Sequence, residues 1–214
     1  MRPSRIGIPL GVALGLSGLA MYLSAKPSAA PQTELDFSQP QHPVTPEMMA
    51  NAAEMSRKVG PTFQLNDVRG EPRSIAGTNL ERPQLVLFIL DTCPCSVDAQ
   101  PLFNKLSKHW SGMADFVGVI NTDAQKGRAW MSDYRVAFPV VPDKDLKIIK
   151  AYEAKQSVYS VLISKGGKIV KMWPGYSREM LKEINEEIGE AAGEVAKPFD
   201  AEYAPVEKTS GCYF

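Results

Sequence analysis

The sequence predicts a three-layer α/β domain, and three observations predict it. Leu85 to Leu90 is an unbroken apolar run, as a strand covered on both faces would be, and Phe116 to Ile120 is a second such run. Between them Leu102, Leu106 and Trp110 recur at i, i+4 and i+8, which is helical spacing. Two further strand-like runs, Val158 to Ile163 and Lys168 to Trp173, flank the turn Lys165-Gly166-Gly167 and predict a hairpin. The order strand, helix, strand, helix, hairpin, helix needs helices on both faces of one sheet. The crossover between the two buried strands predicts parallel pairing and a right-handed connection.

Taken in order, the chain opens with Arg2 and Arg5 before an uncharged stretch from Ile6 to Leu23. That stretch is long for a cleaved signal peptide and near the lower limit for a membrane span. Ser28 to Ala30 fits a cleavage site only loosely, with Pro31 following, so residues 1–24 read as a signal anchor in preference to a signal peptide. Arginines stay cytoplasmic, which puts the remainder on the far side of the membrane, anchored through residues 6–23. That side is generally oxidising. Residues 25–58 read as a proline-rich tether with a short helix, where Thr45 and Pro46 match an N-cap and first helical residue. Met48, Ala52, Met55 and Val59 form a stripe that predicts core packing.

The domain is expected over residues 59–192. A short strand, Thr62 to Leu65, precedes a turn at Arg69-Gly70. After the first buried strand, Pro94 suits the first position of a helix, which makes Cys93 its N-cap and puts Cys95 and Ser96 in the first turn. Ala124 to Tyr134 reads as a helix carrying Trp130, Phe138 to Val141 as a short extended piece, and Asp145 to Tyr152 as a helix. Ser177 caps a last helix to about Ala191, with Leu181, Ile184 and Ile188 on its apolar face. Residues 193–214 read as a polar tail that carries Cys212.

Lys+Arg and Asp+Glu both number 24, so the net charge is zero and no basic footprint for nucleic acid exists. Three cysteines are too few for a disulfide scaffold, and the odd count leaves one thiol free, exchanging, or paired to another molecule. A sulfur at the Cys93 cap would face unpaired helix amides and the positive end of the helix dipole, which favours thiolate. Asp91 would oppose this. Cys95 could close a small, strained ring with Cys93, or Cys212 could swing in on a flexible tail and pair with either. These pairings stay open.

The motifs Val59-Gly-Pro-Thr-Phe63 with Leu65, Leu85-Val-Leu-Phe88, Thr92-Cys-Pro-Cys-Ser96 with Pro101, and Val161-Leu-Ile163 with Gly167-Lys-Ile169 carry a resemblance. The span from Val59 to about Ile188 resembles a thioredoxin-like redoxin of the alkyl hydroperoxide reductase and thiol-specific antioxidant superfamily. The resemblance implies a central mixed sheet with helices on both faces. It also implies thiol–disulfide exchange with Cys93 as nucleophile and Cys95 or Cys212 as the resolving thiol, with no cofactor. Expected partners are protein thiols or disulfides, or a small thiol or peroxide, together with a redox partner protein. The sequence departs from the pattern at three places. Ser96 stands where a second thioredoxin cysteine would be, Val158 or Tyr159 where a cis-proline precedes the hairpin strand, and Phe88 four residues before Thr92 where a peroxiredoxin has proline. The peroxide-orienting arginine of peroxiredoxins aligns near Val158, where none is present. Some redoxin relatives with a Cys-Pro-x-Ser site end in a motif similar to Gly211-Cys212-Tyr-Phe214.

Three other readings remain. One is a peroxiredoxin-like thiol peroxidase. A second is a copper chaperone using Cys93 and Cys95, for which His42 in the tether and His109 in the helix are the only histidines and read as incidental. The third is a non-catalytic binding module. Trp173 to Tyr176 reads as packing between hairpin and last helix, and Lys182, Glu183, Glu186 and Glu187 as a solvated helix face.

Overall fold

A computed structural model describes residues 42–214. The anchor expected over residues 1–24 and the tether up to residue 41 lie outside the described residues. Among those described, no helix is long and apolar enough to cross a membrane.

Helix α1 (Pro46–Met55) starts as its residues dictate, with Thr45 Oγ1 accepting from the Met48 amide at 3.2 Å and Pro46 at the first position. Met48, Ala52 and Met55 are buried, but Val59 is 69% exposed. The apolar stripe therefore ends one turn early, because the helix stops at Met55 and the chain turns through Arg57 in the left-handed region. Strands β1 (Phe63–Asn66) and β2 (Pro72–Ile75) pair antiparallel around the turn at Gly70, and β2 is a strand that periodicity did not mark.

The main sheet has the order β5-β4-β3-β6-β7. Strand β3 (Gln84–Ile89) is central, parallel to β4 (Asp115–Ile120) and antiparallel to β6 (Ser160–Ile163). Strand β5 (Val140–Pro142) runs parallel to β4, and β7 (Ile169–Trp173) closes the hairpin with β6. The sheet is therefore mixed, with the parallel β3–β4 pair that the intervening helix demanded.

Alternate residues of β3 serve opposite faces, as strand geometry requires. Leu85, Leu87 and Ile89 pack with residues of α2 (Pro94–His109), α3 (Ala124–Asp133) and α5 (Arg178–Ala192). Val86 and Phe88 pack with α1 and α4 (Lys147–Ala151) on the other side. Both faces are thus covered, and every residue of β3 is buried. Burying Leu85, Val86, Leu87, Phe88 and Ile89 contributes about 1.5–3 kcal/mol per side chain, which makes this strand the fixed reference for whatever its C-terminal end carries.

Residues 193–214 are not a free tail. Asn185 Nδ2 donates to Lys197 O at 2.9 Å, Lys105 Nζ pairs with Asp200 at 2.6 Å, and the Arg178 amide donates to Pro205 O at 2.7 Å. Phe199, Ala201 and Ala204 join the core on the α2 and α5 side. Thr209 then exchanges both backbone hydrogen bonds with Tyr176, at 2.7 and 2.9 Å. A Cβ on Gly175 would lie 2.2 Å from Thr209 O, so only glycine lets the tail approach here. The aromatic run before it packs as expected, with Trp173 and Tyr176 buried. Glu183, by contrast, is not merely a solvated charge: it accepts from Lys171 Nζ and from Trp173 Nε1.

Candidate active site

The site forms where β3 ends and α2 begins. Cys93 is the N-cap of α2 with extended backbone (φ −93°, ψ 122°), and Pro94 is the first helical residue, as the motif predicts. Ser96, at the position of a second thioredoxin cysteine, has a structural role: its Oγ accepts from the Leu90 amide at 3.2 Å, tying the first turn of the helix to the end of the strand. That bond fixes the cysteine loop against β3.

Cys93, Cys95 and Cys212 are brought together although Cys212 is 119 positions away from Cys93. All three are free thiols. The Cys212 amide donates to Cys93 Sγ at 3.2 Å. The Cys95 thiol also donates to that sulfur, and the Ser157 hydroxyl acts on it from the loop ahead of β6. Ser157 Oγ is buried and closes no hydrogen bond of its own among the described residues, so its dipole is available to the thiolate.

Two expectations are corrected here. No amide of α2 caps through the Cys93 side chain, so the helix mouth is not what holds the anion. The Cys95 thiol does most to keep the Cys93 pKa well below the ordinary thiol range, against the opposing effect of burial, with Ser157 and the Cys212 amide adding to it. The proton is correspondingly hard to remove from Cys95, whose pKa is driven up first by that same hydrogen bond and then by burial and the negative charge of Cys93. The second correction concerns access. A flexible tail would leave the cysteine loop open to solvent, yet Cys93 is 0% exposed and Cys95 is 3% exposed. The tail covers them.

That cover is a short stretch of backbone pairing. The Ser157 amide donates to Cys212 O at 2.9 Å, Tyr213 bridges Gln156, and the Phe214 amide donates to Lys155 O at 3.2 Å. The tail thus lies as an added strand along residues 155–157. A Cβ on Gly211 would sit 1.9 Å from Ser157 Oγ, so the residue before Cys212 must be glycine for the tail to seat. The next residue along the loop, Val158, takes the left-handed region at φ 65°, and its amide donates to Phe88 O at 2.8 Å. A proline at Val158 would have neither that φ nor that N–H.

Sequence reasoning missed four residues around the sulfurs. Asp98, rather than Asp91, is the carboxylate in the thiolate's field; burial first and then the Cys93 charge raise its pKa. Ser157 contributes from a loop that carries no motif, and Tyr176, read only as packing, lies in the field of Asp98 and the two sulfurs, where burial first and then those charges raise its pKa. His42, assigned to the tether as incidental, has its Nε2 3.4 Å from Cys212 Sγ. No local signal marks it, because its position depends on the pairing of residues 42–44 with residues 208–210. His109 packs against Trp110 and Phe199, away from the sulfurs. Among the described residues, no group of three or more histidine, cysteine or carboxylate side chains is disposed to hold a metal ion.

Comparison with known proteins follows the same outline. The profile of the AhpC/TSA family matches residues 57–172. The thiol-disulfide oxidoreductase ResA of Halalkalibacterium halodurans is 29% identical over 128 residues, covering 58% of this chain and 72% of ResA. The solution structure of a Neisseria meningitidis protein assigned as a thioredoxin superposes with a TM-score of 0.53 at 25% identity, covering 62% of this chain and 91% of that one. A thiol-disulfide oxidoreductase from Bacteroides fragilis shares the fold, with a TM-score of 0.53 at 20% identity over 60% of this chain and 98% of its own. The fold is therefore thioredoxin-like, as the sequence motifs imply.

Proposed function

The chain belongs to the AhpC/TSA family, and from that membership and the geometry around Cys93 we propose that it is a thiol–disulfide oxidoreductase with Cys93 as its nucleophile. One observation carries the reading: the Cys93 sulfur is surrounded by donors to its anion, and one of those donors is the backbone of a second cysteine residue. The name of the similar ResA protein agrees with it.

In the reductive direction, Cys93 thiolate attacks one sulfur of a substrate disulfide. A Cys93–substrate disulfide forms and the other substrate sulfur leaves as thiolate. Cys212 then attacks Cys93 Sγ, the Cys93–Cys212 disulfide forms, and the second substrate sulfur leaves. The substrate gains two electrons and the pair of protein thiols loses two. Run backwards, the same steps oxidise a dithiol. Cys95 is the weaker candidate for resolution, because its proton is engaged with Cys93 and its sulfur is buried. Its role in this reading is to hold the thiolate before attack. Protein disulfides or dithiols are the substrates, and a redox partner protein resets the Cys93–Cys212 pair.

The substrate reaches Cys93 only when the tail lifts. The proposal also places the domain outside the cytoplasm, tethered through residues 6–23, a reading supported by the apolar run behind Arg2 and Arg5. Membrane fractionation with protease accessibility tests this part: a domain released with the soluble fraction and protected on the cytoplasmic side refutes it.

Insulin-disulfide reduction tests the chemistry. Cys93→Ser is expected to abolish turnover, and mass mapping of protein isolated without reductant to find a labile disulfide at Cys93. Unchanged insulin reduction and unchanged peroxide consumption in Cys93→Ser would show that the site is not a thiol enzyme.

A further inference from the structure

Cys212 is poorly disposed to act unaided. In the reduced, closed protein this thiol is partly buried beside Cys93, and burial first, then its hydrogen bond to Cys93 and the charge of that sulfur, keep its proton on, so Cys212 enters the reaction as a thiol. A resolving thiol attacks as thiolate, so the proton has to go somewhere. The side chain in contact with Cys212 Sγ that offers a basic nitrogen is His42, with Nε2 at 3.4 Å. We infer that His42 is the general base that takes the proton from Cys212 as it attacks the Cys93–substrate disulfide. The inference rests on the thiol–disulfide reading above and deepens it.

The contact is built by two separate sets of bonds. The first holds residues 208–210 to residues 42–44: Val44 amide to Lys208 O at 2.9 Å, Ser210 amide to His42 O at 2.7 Å, and a bridge between Pro43 and Thr209. Thr209 is further fixed by its paired bonds to Tyr176. The second set holds residues 212–214 to residues 155–157. Between the two sets stands Gly211. Opening at Gly211 releases Cys212 from Cys93 but leaves Ser210 bonded to His42. Consecutive Cα atoms are about 3.8 Å apart, so Cys212 stays within reach of the imidazole when the substrate is admitted. The base is therefore carried by the part of the tail's surroundings that does not move.

The step balances as follows. Nε2 of neutral His42 accepts the Cys212 thiol proton, Cys212 sulfur forms a bond to Cys93 Sγ, and the bond from Cys93 Sγ to the substrate sulfur breaks. The substrate leaves as thiolate and takes a proton from the imidazolium or from water. His42 then returns to its starting form. The titratable side chains that line the same cavity as the imidazole are Glu47 of α1, Lys155 and Tyr159 beside β6, and Tyr213 of the tail, in a space of about 340 Å³. Tyr159 is held protonated by burial, with its pKa up to about 12, so it does not compete for the proton.

The test uses the full reduced protein and 5,5′-dithiobis(2-nitrobenzoate) in single turnover. The first coloured thiolate reports attack by Cys93, and the second reports attack by Cys212. His42→Gln and His42→Asn are expected to lower the ratio of second-phase to first-phase rate about 100-fold, within the usual range for loss of a general base. Added imidazole should restore the ratio in His42→Asn. In the wild type the ratio should carry a pH-dependent limb that is missing in His42→Gln. An unchanged ratio in both variants overturns the inference. So does an equal fall in both phases with no rescue, which is the signature of a merely structural histidine. Cys212→Ser separates the two levels: if peptide mapping does not place its 2-nitro-5-thiobenzoate adduct on Cys93, the thiol–disulfide reading itself is wrong, whatever His42 does.

Discussion

Replacing Gly211 by alanine should unseal the nucleophile. The added methyl would meet Ser157 Oγ at 1.9 Å, and Ser157 Cβ and carbonyl oxygen at 3.1 Å each. Rotating the Ser157 hydroxyl away relieves only the first of these, so the tail has to shift. Seating it depends on three hydrogen bonds: Ser157 amide to Cys212 O at 2.9 Å, Phe214 amide to Lys155 O at 3.2 Å, and Cys212 amide to Cys93 Sγ at 3.2 Å. At a net value of about 0.5–1.5 kcal/mol each, their joint loss is worth about 1.5–4.5 kcal/mol. At about 1.4 kcal/mol per factor of ten, the open population rises roughly 10- to 1,000-fold. Cys93 is 0% exposed when the tail is seated, so its alkylation has to go through the open form. Iodoacetamide labelling of reduced protein at pH 7, followed by peptide mass mapping, reads that population. Gly211→Ala should label Cys93 at least about tenfold faster than wild type, at the low end of that range. Equal rates would mean that the tail does not control access, and the account of the sealed site would be wrong.

Other consequences can be checked directly. Cys95→Ala removes the main donor to the Cys93 thiolate, a charge-assisted bond of about 1.5–3 kcal/mol, so the midpoint of the thiolate absorbance at 240 nm should move up by about one to two pH units. Cys95→Ser keeps a donor and should move it much less. The direction follows from the sign: a weaker donor disfavours the charged form, so a higher pH is needed to reach it. Val158→Pro loses the Phe88 bond and cannot adopt φ 65°, and should cost about 3 kcal/mol or more, lowering Tm by about 6–12 °C in thermal denaturation followed by circular dichroism. Cys212→Ser should stop the reaction at the Cys93–substrate disulfide, visible as an accumulating adduct by intact mass. A Cys93–Cys95 disulfide in that variant would instead assign resolution to Cys95.

The parts of this molecule that were legible in the sequence are those determined locally. Leu85 to Leu90 announces a strand buried on both faces, and Pro94 places Cys93 at the helix cap, because a proline ring suits that one position. Trp173 and Tyr176 are buried as read. What could not be read depends on contacts across the chain. The short strand β2 pairs only with β1, and three of its four residues alternate without a buried face. The source of thiolate stabilisation was misread because a helix cap is visible in sequence, whereas Ser157 and the Cys212 amide arrive from 64 and 119 positions away. Polarity alone made residues 193–214 look like a loose end. Their docking rests on backbone bonds, which side-chain composition does not report, and on two glycines, Gly175 and Gly211, whose need emerges only from close approach.

Covering a nucleophile with a segment of its own chain also sets a speed limit. Uncovering is a unimolecular event, so its rate does not grow with the amount of substrate supplied. At saturation, disulfides of very different intrinsic reactivity should converge on one common turnover number, and that ceiling should move with the hinge at Gly211 rather than with the chemistry of the molecule being reduced.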